Sequence, residues 1–113
     1  MAYIFNKKGD TINPAEQIEG ATSTTATSVS AVTVKSKSTT VLQANEYRNA
    51  AMLTNDSDEV IYITLGIRAI MHKGIRLNPN GGSLEINSTN LYVGKITAIC
   101  DSTGGKNLCV TEL

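Results

Sequence analysis

Residues 30–113 consist of short apolar runs, many alternating with polar residues, between clusters of Asn, Asp, Gly and Ser. Turn signals recur about every ten residues, and helical periodicity is almost absent. The strongest strand signal lies at 59–65, which is dense in β-branched residues. The pattern predicts extended segments at 31–34, 39–42, 48–53, 59–65, 69–71, 74–77, 83–86, 91–100 and 108–113. It therefore predicts an all-β fold, a small β-sandwich or barrel-like domain over residues 30–113.

The first 29 residues lack the apolar content of a core and predict an extended N-terminal arm. Residues 21–30 are mostly Ser and Thr, a composition typical of a linker. Such a segment is either a frayed terminus or an anchor that orders on a neighbouring subunit. We favour the anchor. The residues expected to contact a partner are the few apolar side chains of the arm, namely Tyr3, Ile4, Phe5 and Ile12.

The core of the domain has to be built from aliphatic side chains. Aromatic residues make up 4% of the chain, and Trp is absent. Aliphatic side chains bury less area per residue than aromatic rings, and a domain of this size has little interior. Domains with a thin core often gain stability by oligomerisation, so the composition favours a homo-oligomer.

The charge pattern argues against two classes of partner. The chain has 10 Lys and Arg residues and 10 Asp and Glu residues, so it lacks the basic footprint of a nucleic-acid-binding protein. No apolar run approaches the roughly 20 residues of a membrane-spanning helix. The start of the chain does not follow the order of a signal peptide. We expect a cytosolic product with no nucleic-acid or membrane partner.

The two cysteines flank a predicted turn. If Gly104 and Gly105 form a two-residue hairpin loop, Cys100 and Cys109 face each other on paired strands. Two interpretations follow, a cross-strand disulfide or a pair of buried free thiols. We favour the thiols for a cytosolic product. Two Cys and one distant His do not complete a tetrahedral site, so no metal is predicted.

No group of residues in the sequence predicts catalysis or a cofactor site. His72 is the only histidine and is expected at the surface or in an interface. The acidic group at 56–59 lacks the spacing of a calcium loop and predicts a solvated turn. Glycine pairs at 81–82 and 104–105 indicate hairpin turns. The basic residues are expected on solvated strand faces: Lys35, Lys37, Arg48, Arg68, Lys73 and Arg76.

Residues 32–113 contain a series of turn and strand motifs. The motifs are Val41-Leu42-Gln43-Ala44-Asn45-Glu46-Tyr47-Arg48, Asn55-Asp56-Ser57-Asp58, Ile61-Tyr62-Ile63-Thr64-Leu65-Gly66, Leu77-Asn78-Pro79-Asn80-Gly81-Gly82-Ser83-Leu84-Glu85, Ile96-Thr97-Ala98-Ile99 and Val110-Thr111-Glu112. This series resembles small virion proteins of tailed bacteriophages, in which a "vL-x-AN-x-x-R" opening leads into a strand and an "N-x-S-D" turn. The resemblance implies an all-β domain, often oligomeric, without enzymatic activity.

Three functions follow from these observations. The first is a capsid decoration or head-fibre protein, which binds the major capsid protein or another virion protein through its arm, with a trimer as the favoured oligomer. The second is a tail, collar or baseplate adaptor, or a module that binds the host surface. The third, a small hydrolase, is disfavoured because a nucleophile with its base and orienting group is missing. We expect the first, in the virion.

Overall fold

The computed structural model describes residues 28–113, which form two antiparallel sheets of four strands. The predictions for Tyr3, Ile4, Phe5 and Ile12 therefore lie outside the described residues. No helix occurs in residues 28–113, and the all-β prediction is confirmed. The strands are β1 (Ser28–Val34), β2 (Thr39–Leu42), β3 (Ala51–Asn55), β4 (Ile61–Leu65), β5 (Ile75–Leu77), β6 (Ser83–Ile86), β7 (Ile96–Cys100) and β8 (Lys106–Glu112).

The strand order is that of a long hairpin folded over on itself. β1 pairs with β8, β2 with β7, β3 with β6 and β4 with β5, always antiparallel. β3 also pairs with β8, and β4 with β7, which gives the sheet orders β1-β8-β3-β6 and β2-β7-β4-β5. Eight strands in two sheets with this connectivity form a jelly roll.

One aliphatic cluster lies between the two sheets. Alternating residues of β3 and β4 point inward, so that Leu53 and Ile63 are fully buried. Tyr92 is the one aromatic residue packed against this cluster in the described part of the chain, and it is only partly buried. The buried members are Val34, Val41, Leu42, Ala51, Leu53, Ile61, Ile63, Leu77, Ile86, Ile96, Ala98, Cys100, Leu108 and Val110.

Strand β7 is buried on both faces because a loop crosses its outer side. Ile96, Ala98 and Cys100 belong to the core, so Thr97 points the other way, yet it is only 1% exposed. Its hydroxyl donates a hydrogen bond to the Gly66 carbonyl at 3.0 Å. The segment after Gly66 therefore lies over the sheet. The predicted strand at 69–71 is wrong, since these residues belong to this covering loop.

Two further strand predictions are wrong in their extent. The segment predicted at 91–100 is a strand only over Ile96–Cys100, because residues 91–95 belong to the loop that follows β6. The segment predicted at 48–53 begins at Ala51 instead. Arg48 lies in the preceding loop and is 2% exposed, so its predicted place on a solvated strand face is also wrong. Its interior hydrogen-bond partners account for this burial.

The predicted hairpin between residues 91–100 and 108–113 does not form. β7 and β8 belong to different sheets, and residues 101–105 connect one sheet to the other. β8 pairs with β1 and β3, so Cys109 lies opposite Ala31 and Thr54 and not opposite Cys100. The local turn signal was correct, but the partner of β8 is set by long-range packing.

Candidate functional site

The register places one end of the sandwich where the N-terminal arm enters. Ser28 lies opposite Glu112, and Glu112 lies opposite Ala51. In the second sheet, Ile96 lies opposite both Leu42 and Leu65. The loops 43–50, 66–74 and 87–95 therefore leave from the end at which β1 begins. We call it the arm end.

The loops that leave from the arm end carry exposed apolar side chains that the loops of the opposite end lack. Tyr47 and Ile67 are each 80% exposed, and both lie in loops of the arm end. The loops of the opposite end are polar, with sequences KSKS, DSDEV, NPNGG and DSTGG. Isolated exposed apolar residues are common, but their concentration at one end indicates a contact surface. We call this set the apolar rim: Val29, Tyr47, Leu65, Ile67 and Leu91.

A buried arginine joins the loops of the arm end. The Nε of Arg48 donates a hydrogen bond to Glu112 Oε2 at 2.8 Å, within an ion pair. Its Nη1 donates to the carbonyls of Tyr92 at 2.9 Å and Gly94 at 3.0 Å, and its Nη2 donates to the carbonyl of Gln43 at 2.8 Å. A planar guanidinium is suited to such a forked arrangement. Arg48 thus fixes the loops 43–50 and 87–95 to the end of β8.

Asn45 connects this ion pair to the apolar rim. Its Nδ2 donates to Glu112 Oε2 at 3.1 Å, and its Oδ1 accepts a hydrogen bond from the Tyr47 backbone N–H at 3.0 Å. The second bond is an Asx-turn, in which a side chain replaces a backbone acceptor. The Tyr47 ring is therefore exposed to solvent, while its backbone is fixed by the hydrogen bond to Asn45. Tyrosine in such a position is a frequent energetic anchor of protein interfaces.

A second buried polar residue organises the opposite end. Asn55 is fully buried, and its Nδ2 donates to the carbonyls of Glu59 at 2.7 Å and Leu77 at 3.0 Å. Its Oδ1 accepts from the Ser57 hydroxyl at 2.6 Å. The backbone of Asn55 is also bonded to both Gly81 and Gly82. Asn55 therefore joins the loop after β3 to the loop after β5.

A basic groove of about 560 Å³ lies on the outer face of the second sheet. It runs beside the covering loop, whose position is fixed by the Ala69 N–H donating to the Ser38 hydroxyl at 2.8 Å. Its lining contains three cations and no carboxylate. The lining residues are Lys37, Ser38, Thr40, Ile67, Arg68, Ala69, Lys95, Thr97 and Ile99. This composition is suited to anionic groups.

The predicted pairing of the two cysteines is wrong, and both are free thiols. Cys100 is buried and its thiol donates to the Val34 carbonyl at 3.3 Å, whereas Cys109 is exposed on the outer face of the first sheet. The expectation that both thiols are buried therefore holds only for Cys100. Burial raises the pKa of the Cys100 thiol, so this thiol stays protonated and inert.

The other predicted polar residues lie in turns. His72 is exposed, as expected, but it sits in a turn with φ 65° and contacts the Tyr62 hydroxyl through Nδ1 at 3.0 Å. Asp58 is exposed in the turn after β3, where its bond to Lys106 at 2.7 Å lowers the pKa of the carboxyl. Within residues 28–113, no group of three His, Cys, Asp or Glu side chains is placed to hold a metal ion. No membrane-spanning helix is found among the same residues.

The sequence carries a signal for both buried polar residues. Glu112 continues the inward alternation of Leu108 and Val110, and Asn55 continues that of Ala51 and Leu53. A polar residue at an inward position needs a buried partner. Arg48 supplies it for Glu112, and both residues belong to the turn and strand motifs of residues 32–113. Those motifs therefore describe how the fold is held together.

No protein-family model, curated protein or solved structure matches this chain.

Proposed function

We propose that this chain is a non-enzymatic structural protein of a tailed-bacteriophage virion. In its most direct form it is a capsid decoration or head-fibre protein that binds the major capsid protein through its arm and stabilises the head. The observation that carries the proposal is the apolar rim, because it lies at the end where the arm joins the domain. A surface made of the arm and this end would attach the domain to a shell and leave the polar end facing outward.

Two further points support this proposal. The series of motifs resembles small virion proteins of tailed phages, and the structure uses these motifs to hold the two ends of the sandwich in place. Jelly rolls are also common in viral capsids, although the same fold occurs in lectins and cupins, so this support is by analogy. The Asn45 hydrogen bond fixes the backbone at Tyr47, so this residue loses little backbone freedom when it contacts a rigid surface.

The proposal is tested by counting copies in purified virions. Quantitative mass spectrometry of separated heads and tails should find the chain in heads, in hundreds of copies that track the major capsid protein. A dozen or so copies confined to tails would instead indicate an adaptor, and absence from particles would overturn the virion role.

The attachment surface is tested with variants of the full chain. Phe5→Asp in the arm and Tyr47→Asp on the rim should each reduce the number of copies on heads. The matched control is Asn6→Asp, which adds the same charge beside Phe5 but removes no apolar side chain. If the three variants attach equally, the arm and the rim are not the attachment surface.

A second candidate is a module that binds the host surface, and the basic groove favours it. Lys37, Arg68 and Lys95 surround a concave surface without an acidic group, which suits an acidic glycan. The chain should then bind host cells and lose this binding in Arg68→Ala, while Arg76→Ala on an exposed position outside the groove should bind normally.

A further inference from the structure

Three of the four sheet edges carry features that hinder pairing with another chain. β2 has four residues, with a register shift between Thr40 and Leu42. β5 has three residues and carries Arg76, and β6 has four residues and carries Glu85. Short length, irregular register and charged side chains are common means of protecting a free strand edge.

The fourth edge strand, β1, has none of these features. Its sequence, SVSAVTV, has seven residues without a charge, a proline or a glycine. Its register with β8 runs without a shift from Ser28 opposite Glu112 to Val34 opposite Lys106. Its other edge faces no strand within residues 28–113, and its first four residues are exposed. A long, uncharged and regular edge is a template for adding a strand.

We propose that β1 pairs antiparallel with β1 of a second copy of this chain. The pairing joins the two β1-β8-β3-β6 sheets into one sheet of eight strands across a two-fold axis. With all seven residues paired, Ala31 lies on the axis opposite Ala31 of the partner copy. Val29 then lies opposite Thr33, and Ser30 opposite Val32.

Charge is the reason for choosing a second copy as the occupant. Antiparallel pairing about a two-fold axis brings identical strands together, and like charges facing each other across strands are destabilising. β1 is the one edge among the described strands that is both uncharged and regular, so it pairs with itself without this cost. β5 and β6 would each bring two copies of one charge together, at Arg76 and Glu85 respectively.

The side chains of β8, the strand next to β1, are also compatible with pairing between two β1 strands. Ala31 lies opposite Cys109, and Cys109 lies opposite Thr54, so the outer face beside the axis carries only small uncharged side chains. In the joined sheet, the two Cys109 residues are three strand spacings apart, or about 14 Å. The smallest assembly is a dimer, whereas the sequence favoured a trimer. The proposal concerns purified protein and does not depend on the virion role.

Disulfide cross-linking tests the register directly. In a Cys109→Ser background, Ala31→Cys should form a disulfide-linked dimer under mild oxidation, because residues opposite each other have Cα atoms about 4.5–5.5 Å apart. The matched control is Thr33→Cys, also exposed on β1, whose two copies are offset by four residues, or about 13 Å. Val29→Cys combined with Thr33→Cys should link again. Equal linking of Ala31→Cys and Thr33→Cys would overturn the register.

The mass in solution tests the pairing itself. The full chain should have twice its 12.0 kDa mass by light scattering. Ala31→Lys places two lysines opposite each other and should halve this mass, while Ala31→Thr should preserve it. Circular dichroism checks that both variants keep the fold. A wild-type monomer, which is expected if residues 1–27 of the same chain cover β1, would overturn the proposal, and so would any oligomer that Ala31→Lys leaves intact.

Discussion

Arg48 and Glu112 are 64 positions apart in the chain, and their side chains meet in a buried ion pair with a separation of 2.8 Å. The pair joins the loop before β3 to the last residue of β8. Arg48 is fully buried at its side chain, and carbonyls from three other residues complete its hydrogen bonding. The sequence motifs at 41–48 and 110–112 are thus joined by one contact.

Removing one partner of this pair should destabilise the domain strongly. Arg48→Ala leaves Glu112 buried without its cation, which typically costs about 3–5 kcal/mol of unfolding free energy. Urea denaturation measures this loss. The matched control is Arg76→Ala at an exposed position, where a change within about 0.5 kcal/mol is expected. Equal losses for the two variants would show that the buried pair has no special importance.

The effects of substituting Arg48 and Glu112 on the free energy of unfolding should not be additive. Glu112→Leu in the Arg48→Met background replaces both charges by apolar groups of similar size, and such double replacements are often less harmful than losing one partner. The double variant should therefore be more stable than Arg48→Met alone. A loss equal to the sum of the two single losses would contradict a direct interaction.

At the opposite end, substitution of the buried Asn55 should also destabilise the domain. Asn55→Ala removes the amide that bonds to the buried Leu77 carbonyl, and a buried group left unsatisfied costs about 1–3 kcal/mol. The Glu59 carbonyl and the Ser57 hydroxyl each lose one bond but keep the bond between them. Asn90→Ala is the control, because Asn90 also makes side-chain hydrogen bonds but is exposed. Its Nδ2 donates to the Glu85 carbonyl, and its Oδ1 accepts from the Asn87 N–H. Thermal unfolding should show a clearly larger loss for Asn55→Ala.

The two cysteines should react at very different rates. A maleimide should label Cys109 in the folded protein and reach Cys100 only after unfolding, so one equivalent is incorporated in buffer and two in denaturant. Because burial raises the pKa of Cys100, the unfolded chain releases this proton at lower pH than the folded protein. The stability from the protonated thiol is complete below about pH 8.5 and declines at higher pH. Cys100→Ala should remove this part of the pH dependence.

Gly82 should not tolerate a side chain, although Gly104 should. A Cβ at Gly82 would lie 2.4 Å from the Asn78 backbone nitrogen, so Gly82→Ala forces the turn before β6 to move, at a cost of about 1–3 kcal/mol. A Cβ at Gly104 meets only the Ser102 hydroxyl at 3.7 Å. Gly104→Ala should be neutral or slightly stabilising. Denaturation midpoints of the two variants separate these cases.

The strand pattern was readable where alternation and turn residues agreed. The strands at 39–42, 75–77 and 83–86 follow their sequence signals closely, because each is bounded by Asn, Gly or Lys-Ser segments. The segments at 69–71 and 91–95 were misassigned because their apolar residues cover a sheet or line a loop, a role that no local periodicity reveals. The strands that pair with β8 could not be predicted from local sequence either. A hairpin signal concerns strands that are adjacent in the chain, whereas the strand order of a sheet depends on the packing of the whole core.

The candidate site was less predictable than the strands. The rim is made of single apolar residues from three loops and two strand ends, which only the folded topology brings to one end. Arg48 looked like a surface cation because its partners lie in distant segments. Its burial becomes predictable once Glu112 is recognised as an inward position of β8, which requires knowing that β8 continues past Val110.

Because β1 begins where β8 ends, Ser28 and Glu112 lie side by side at the arm end. The loop at 101–105 lies at the other end, with Thr103 and Gly104 exposed. A foreign peptide spliced between Thr103 and Gly104 would project about one strand length away from Ser28 and Glu112. The domain is therefore suited to displaying a peptide, because its topology separates the insertion site in the loop 101–105 from the arm end.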